Sequence, residues 1–166
     1  MEDTEKNEFD MYFYPDLIFR DVDWRDRTEL FDEISKVLEK KGFVYSDFHR
    51  AIVEREREYP TGIQTKSIGV AIPHTDQEHI KKAFISIVRP KQPIEFLAMG
   101  DSSNGPVQAK LIFVLGVKKD GSQVIVLQKL MEIFSDENII QKLLQAQNNQ
   151  EVYDILRDSF ISQPGN

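Results

Sequence analysis

Apolar residues recur along this chain in two rhythms, one of short, mainly apolar runs and one of three-and-four spacing. The runs are Leu17-Ile18-Phe19, Gly69-Val70-Ala71-Ile72, Ala83–Val88, Ile94–Phe96 and Val107–Val117. Short apolar runs bounded by breakers predict buried strands. Between them the spacing turns helical. Leu30, Ile34, Val37 and Leu38 mark the stripe of a helix over Asp26–Lys41, lysine-rich at its end and stopped by Gly42. Ser46 is placed to cap a second helix, which buries Phe48, Ala51 and Ile52 and runs through Arg55 until Pro60-Thr61-Gly62 breaks it. After the loop Lys118–Ser122, a third helix carries Val124, Leu127, Leu130, Met131 and Phe134. A fourth, capped by Ser135 or Asp136, turns Ile139, Ile140, Leu143 and Leu144 inward, and a last covers Gln150–Phe160. This alternation predicts an α/β fold, a three-layer sandwich with a mixed β-sheet flanked by helices on both faces. Residues 1–15 read as a flexible acidic N-terminal arm, 16–160 as one domain and 161–166 as a frayed tail.

Composition narrows the classes of function. The 166 residues carry 21 basic and 28 acidic side chains, a net charge of 21 − 28 = −7, so nothing favours nucleic acid or an anionic membrane surface. There is no cysteine, which excludes disulfides, thiol nucleophiles and cysteine metal sites and fits a reducing compartment. Met1–Lys6 is acidic and polar, unlike a signal peptide, and no apolar stretch approaches the ~20 residues that span a bilayer. The expectation is a cytoplasmic protein without direct membrane insertion.

The run Gly69–Ile72 stops at Pro73, which lacks an N–H, and delivers His74 at its exit. Alternation puts Val70 and Ile72 on one face of that strand and Ala71 on the other. His74 then stands past the carboxyl end of a core strand, where open α/β sheets place their ligand sites. A lone histidine after a strand is more often structural than chemical, so its context decides. Metal binding by His74, His79 and Asp76 is rejected, because the i, i+5 spacing suits no single helical face. No glycine-rich phosphate loop and no Gly-x-Ser-x-Gly elbow is present, and no cofactor is expected.

The context is the segment Arg55-Glu56-Arg57-Glu58-Tyr59-Pro60-Thr61-Gly62-Ile63 followed by Gly69-Val70-Ala71-Ile72-Pro73-His74-Thr75. An arginine–glutamate pair, a Thr-Gly turn and an apolar strand ending Pro-His together resemble the enzyme IIA domains of the bacterial sugar phosphotransferase system, in the fructose–mannitol superfamily. The Tyr-Pro-Thr-Gly turn and a second histidine, His79, make the chain similar to the galactitol-type branch. The resemblance covers roughly residues 17 to 157, with the element order intact.

What the resemblance implies is a phosphocarrier, a phosphotransferase component without metal or nucleotide. His74 matches the histidine that accepts phosphate from HPr and gives it to a cysteine of the IIB partner, with the membrane IIC protein engaged indirectly. A galactitol-like sugar alcohol is the implied substrate class. Imidazole suits the task, being a good nucleophile when neutral, with an ordinary pKa of ~6.5. Arg55 matches the arginine that clamps phosphate oxygens, although the run Glu54–Glu58 alone would read as a solvated helix end. Glu56 and Arg57 stay ambiguous. Thr61 and Gly62 shape the turn, Gly62 by permitting a positive φ. His79 either orients His74 or faces solvent, and His49 reads as a surface residue. Gln123 lines up where mannitol- and fructose-type domains tend to carry another histidine; it can hydrogen-bond the imidazole or phosphate but carries no proton or charge. Tyr59, Ile63, Phe96 and Met99 are candidates for an apolar rim, Phe96 fitting the core better. The rival reading is a free-standing regulator whose phosphorylation at His74 is a signal.

Overall fold

The computed structural model describes residues 9–100, 102–118 and 122–161. Its strands are β1 (Phe13–Val22), β2 (Gly62–Gln64), β3 (Gly69–Ala71), β4 (Phe84–Pro90), β5 (Ile94–Leu97) and β6 (Pro106–Gly116). Its longer helices are α1 (Arg27–Lys40), α2 (Phe48–Glu58), α3 (Ser122–Phe134), α4 (Glu137–Gln145) and α5 (Asn149–Ile161). The sheet runs β1-β4-β6-β3-β2, with β5 beside the first half of β6 and β4 beside its second half. β1 is parallel to β4 and β3 to β6, while the other pairs are antiparallel, so the sheet is mixed as expected.

Why Leu111–Leu115 of β6 reads as an unbroken apolar run is now plain. Leu111, Phe113 and Leu115 pack into one core with Val70, Ile72, Ile85 and Ile87, beneath α3, α4 and α5. Ile112 and Val114 pack into the other with Ala71, Phe84 and Val88, beneath Leu30, Ile34 and Leu38 of α1 and Phe48 and Ile52 of α2. From Leu111 onward both faces of the strand are buried, and the two-residue period of the pleat divides one run between two layers. Val70, Ile72 and Ala71 take the faces that alternation predicts.

Local chemistry sets the helix ends. The side chain of Asp26 accepts from the Glu29 N–H at 2.9 Å and starts α1. The helix stops at Gly42, whose φ of +82° suits a residue without Cβ. There the Gly42 N–H donates to the Glu39 carbonyl at 3.0 Å and the Phe43 N–H to the Leu38 carbonyl at 2.9 Å. Asp47, not Ser46, occupies the cap position of α2, and Asp136 caps α4 by accepting from Asn138 and Ile139.

Other expectations change as well. The arm expected over residues 1–15 is part of the core from Phe9 onward. Phe9 and Tyr12 are buried, and the Phe9 ring lies 4.4 Å from Phe13, 5.1 Å from Tyr153 and 5.7 Å from Phe160. Burial of that aromatic surface holds the segment, worth about 1.5–3 kcal/mol for each such side chain. β2 was not foreseen, since its three residues carry too little pattern to register. In α3 the inward residues are Val126, Leu130, Ile133 and Phe134, while Val124, Ile125 and Met131 are exposed. Residues 162–166 of the expected tail lie outside the described residues. No helix among the described residues is long and apolar enough to cross a membrane.

Candidate active site

β3 is short because Pro73 cannot continue its ladder, yet the chain stays beside β6 for two more residues. The Leu115 N–H donates to the Pro73 carbonyl at 3.0 Å, and His74 bridges to Leu115. The imidazole is thus carried past the carboxyl end of β3 with β6 behind it. It faces a cleft of about 400 Å³ lined by Leu115, Val117 and Leu127 on the apolar side and by Thr75–Glu78 on the polar side.

His74 Nδ1 lies 2.8 Å from the carbonyl oxygen of Ile72. A carbonyl can only accept, so Nδ1 carries the proton and donates it, and the neutral ring keeps its lone pair on Nε2. The ring is half-buried, and burial holds its pKa below the ordinary histidine value, helped by the positive charge of Arg55. The Ile72 carbonyl and Asp76 pull the other way, with smaller effect. Neutral imidazole is the nucleophilic form.

Arg55 comes from the last turn of α2. Its Nη1 donates to Asp76 Oδ1 at 2.9 Å, and the guanidinium carbon sits 5.2 Å from the centre of the exposed Tyr59 ring. Its Nε is buried without a hydrogen-bond partner. Arg55 lines a hollow of about 230 Å³ with Tyr59, Thr75, Asp76 and His79, and Thr75 and Asp76 also line the His74 cleft. The alternating charges at the end of α2 are therefore not all solvated.

Glu56, one residue on, points inward. Its carboxylate accepts from the Thr61 N–H at 2.8 Å and from the Thr61 hydroxyl at 2.7 Å, and burial pushes its pKa up to about 7. Thr61 thus turns its hydroxyl to Glu56. Its carbonyl accepts from the Ile72 N–H at 3.3 Å, which ties the turn to the residue that holds the His74 ring. Gly62 does not take a positive φ, contrary to expectation. It is required for closeness instead, since a Cβ there would meet the Leu97 carbonyl oxygen at 2.6 Å.

His79 turns its Nδ1 to Asp47 Oδ2 at 3.0 Å and belongs to the Arg55 hollow, not to the cleft of His74. Gln123 lies in the first turn of α3, and its side chain is outside the described residues. His49 is paired with Asp32 at 2.7 Å on the surface. Phe96 is core; Ile63 and Met99 line a separate hollow with Gly62 and Met131. Sequence reasoning gave Asp76 no part in the site, because nothing local in its spacing reveals that Arg55 lies across from it.

A proton fixed on one ring nitrogen, a lone pair free on the other and an arginine at hand suit an imidazole to accept and return an anionic electrophile. Fold and site define a class of α/β domains that present one histidine at the carboxyl end of a mixed sheet. The chain belongs to the EIIA 2 family of the phosphoenolpyruvate-dependent sugar phosphotransferase system, which residues 11–159 match. It is thus a phosphotransferase component. It is 28% identical over 123 residues to the galactitol-specific EIIA component of Escherichia coli (strain K12), covering 74% of this chain and 81% of that protein. The crystal structure of the nitrogen regulatory protein IIA-Ntr from Neisseria meningitidis superposes with a TM-score of 0.73 at 26% identity, covering 90% of this chain and 99% of that one. The enzyme IIAMTL in complex with phosphorylated enzyme IIBMTL from Escherichia coli shares the fold, with a TM-score of 0.69 at 18% identity over 87% of this chain and 97% of that one.

Proposed function

We propose that this enzyme IIA is a phosphocarrier for the uptake of a galactitol-like sugar alcohol, with Nε2 of His74 as the atom that is phosphorylated. The observation that carries the reading is the bond from Nδ1 of His74 to the Ile72 carbonyl, which leaves Nε2 as the nucleophilic nitrogen of the neutral ring. The donor is the phosphohistidine of HPr. The Nε2 lone pair forms the new N–P bond as the donor N–P bond breaks, and that electron pair returns to the donor nitrogen. No proton has to leave Nδ1. In the second step a cysteine thiolate of IIB attacks phosphorus, and the His74 N–P pair returns to Nε2. The loose phosphoryl transition state asks mainly for positioning and charge stabilisation, which Arg55 is placed to supply. Thr61 supports the turn behind the ring, and the shallow, partly apolar cleft suits two protein partners in succession. The similarity to the galactitol-specific component supports the substrate class.

The test combines purified enzyme I, HPr and phosphoenolpyruvate with the protein and its His74→Ala variant, read by intact mass. An acid-labile gain of one phosphoryl mass in the wild type, absent from the variant, is the expected result. No gain while HPr itself is phosphorylated sinks the reading.

A second reading draws on the likeness to the nitrogen regulatory protein, in which phosphorylation of His74 is a signal and not a step in transport. Addition of a galactitol-type IIB separates the two: transport requires the phosphoryl group to move to the IIB cysteine.

A further inference from the structure

Asp76 stands between the two groups on which the phosphocarrier reading rests. It follows His74 by two residues, lines the histidine cleft and the Arg55 hollow, and accepts from Arg55 Nη1 at 2.9 Å. Its side chain is 68% exposed and that of Arg55 33%. Ion pairs this open contribute little to stability, so holding the fold does not explain the pair. The guanidinium is otherwise flanked by the Tyr59 ring and has its Nε buried without a hydrogen-bond partner. Asp76 is thus its hydrogen-bonded anion in the free protein.

A phosphoryl group on Nε2 would bring up to two further negative charges into the same cleft. One cation would then face two anions, and a planar fork that serves a carboxylate serves a phosphoryl group at least as well. We propose that Asp76 is a positioning residue that sets how firmly Arg55 grips the phosphoryl group. It holds the guanidinium at the cleft while His74 is free and competes for it once His74 is charged. Its negative charge also opposes that of the phosphoryl group. Both effects keep the phosphorylated state transferable, which a carrier requires and a tight phosphate-binding site would defeat. Both charges also reach the imidazole itself, Arg55 lowering and Asp76 raising its pKa.

This inference rests on the phosphocarrier reading, and its test separates the two. HPr and phosphorylated HPr are mixed at fixed ratios with wild type, Asp76→Asn, Asp76→Glu, Arg55→Gln and the Arg55→Gln/Asp76→Asn double variant. The equilibrium fraction of phosphorylated His74 is then read by mass and by phosphorus NMR. Asp76→Asn is expected to shift the equilibrium towards this protein by about threefold or more, the size of one half-exposed charge interaction. Asp76→Glu should return it most of the way, and the effect of Asp76→Asn should shrink in the Arg55→Gln background. A residue that merely held the loop would show no such dependence on Arg55. If wild type is phosphorylated and Asp76→Asn leaves the equilibrium unmoved, or moves it equally without Arg55, this inference falls and the phosphocarrier reading stands. If wild type takes no phosphoryl group from HPr, both fall.

Discussion

The Nδ1–H of His74 points at the carbonyl oxygen of Ile72, 2.8 Å away and two residues earlier in the chain. A histidine that emerges after a proline could swing freely, and this bond removes that freedom. The backbone that fixes the ring is fixed in turn, because the Ile72 N–H is held by Thr61 and Thr61 by Glu56.

The titration of His74 follows from its surroundings. Burial first, and then the charge of Arg55, hold its pKa below the ordinary histidine value, which favours the neutral ring near pH 7. Nitrogen-15 NMR should show the Nδ1–H tautomer near neutrality and a midpoint below 6.5. Arg55→Gln should raise that midpoint. A wild-type midpoint above 6.5 would contradict the arrangement.

Arg55 is expected to matter to transfer far more than to stability. Loss of one well-aimed charged donor costs on the order of a hundredfold in rate. Arg55→Gln should slow phosphoryl transfer from HPr by about that factor, while its partly exposed pair with Asp76 predicts a stability change within about 1 kcal/mol. Stopped-flow transfer assays and urea unfolding check the two halves.

Glu56 predicts a pH dependence of known sign. Its folded pKa of about 7 lies above the ordinary 4.5, so the folded state binds its proton more tightly than the unfolded chain. The resulting stability is present in full below 4.5 and is lost as the pH rises through 7, on the order of 3 kcal/mol at most. His74 acts in the opposite sense, since its depressed pKa costs stability as the pH falls. The difference between wild type and Glu56→Gln cancels His74. Relative to wild type, Glu56→Gln should gain stability between pH 5 and pH 8, measured by denaturant unfolding at both.

Gly62→Ala forces a methyl against the Leu97 carbonyl oxygen, where backbone faces backbone and neither can yield cheaply. Overpacking of this kind costs about 1–3 kcal/mol. Because Gly62 adjoins Thr61, transfer from HPr should fall with it. Thermal unfolding beside a transfer assay reads both.

Much of this was legible in advance, and the residues show why. The Leu111–Leu115 run, the helix that begins about Asp26 and the Gly42 stop are local signals read by local rules. Pro73-His74 announced the end of its strand. The family was legible from two short motifs at the right separation, and residues 11–159 match it. What the sequence hid depends on partners far along the chain. Phe9 is core because Tyr153 and Phe160 cover it, and no pattern near the amino terminus declares that. Asp76 belongs beside Arg55 because a helix end and a loop meet in space. Three residues of β2 are too few to show a period, and Gly62 serves a close approach, not a left-handed turn.

Arg55 and Asp76 are separated by 21 positions, and Glu56 and Thr61 by 5. These side-chain bonds close over short stretches of chain, with little loop entropy to overcome, whereas the strand that delivers the histidine pairs with β6 across some forty positions, as between Val70 and Leu111. The pairing of β1 with β4 spans some seventy positions, as between Ile18 and Ile87, and the aromatic cluster of Phe9 with Phe160 spans about twice that. The bonds that set the arginine and the turn thus join near neighbours in sequence, while the sheet and the aromatic cluster that back the histidine join distant parts of the chain.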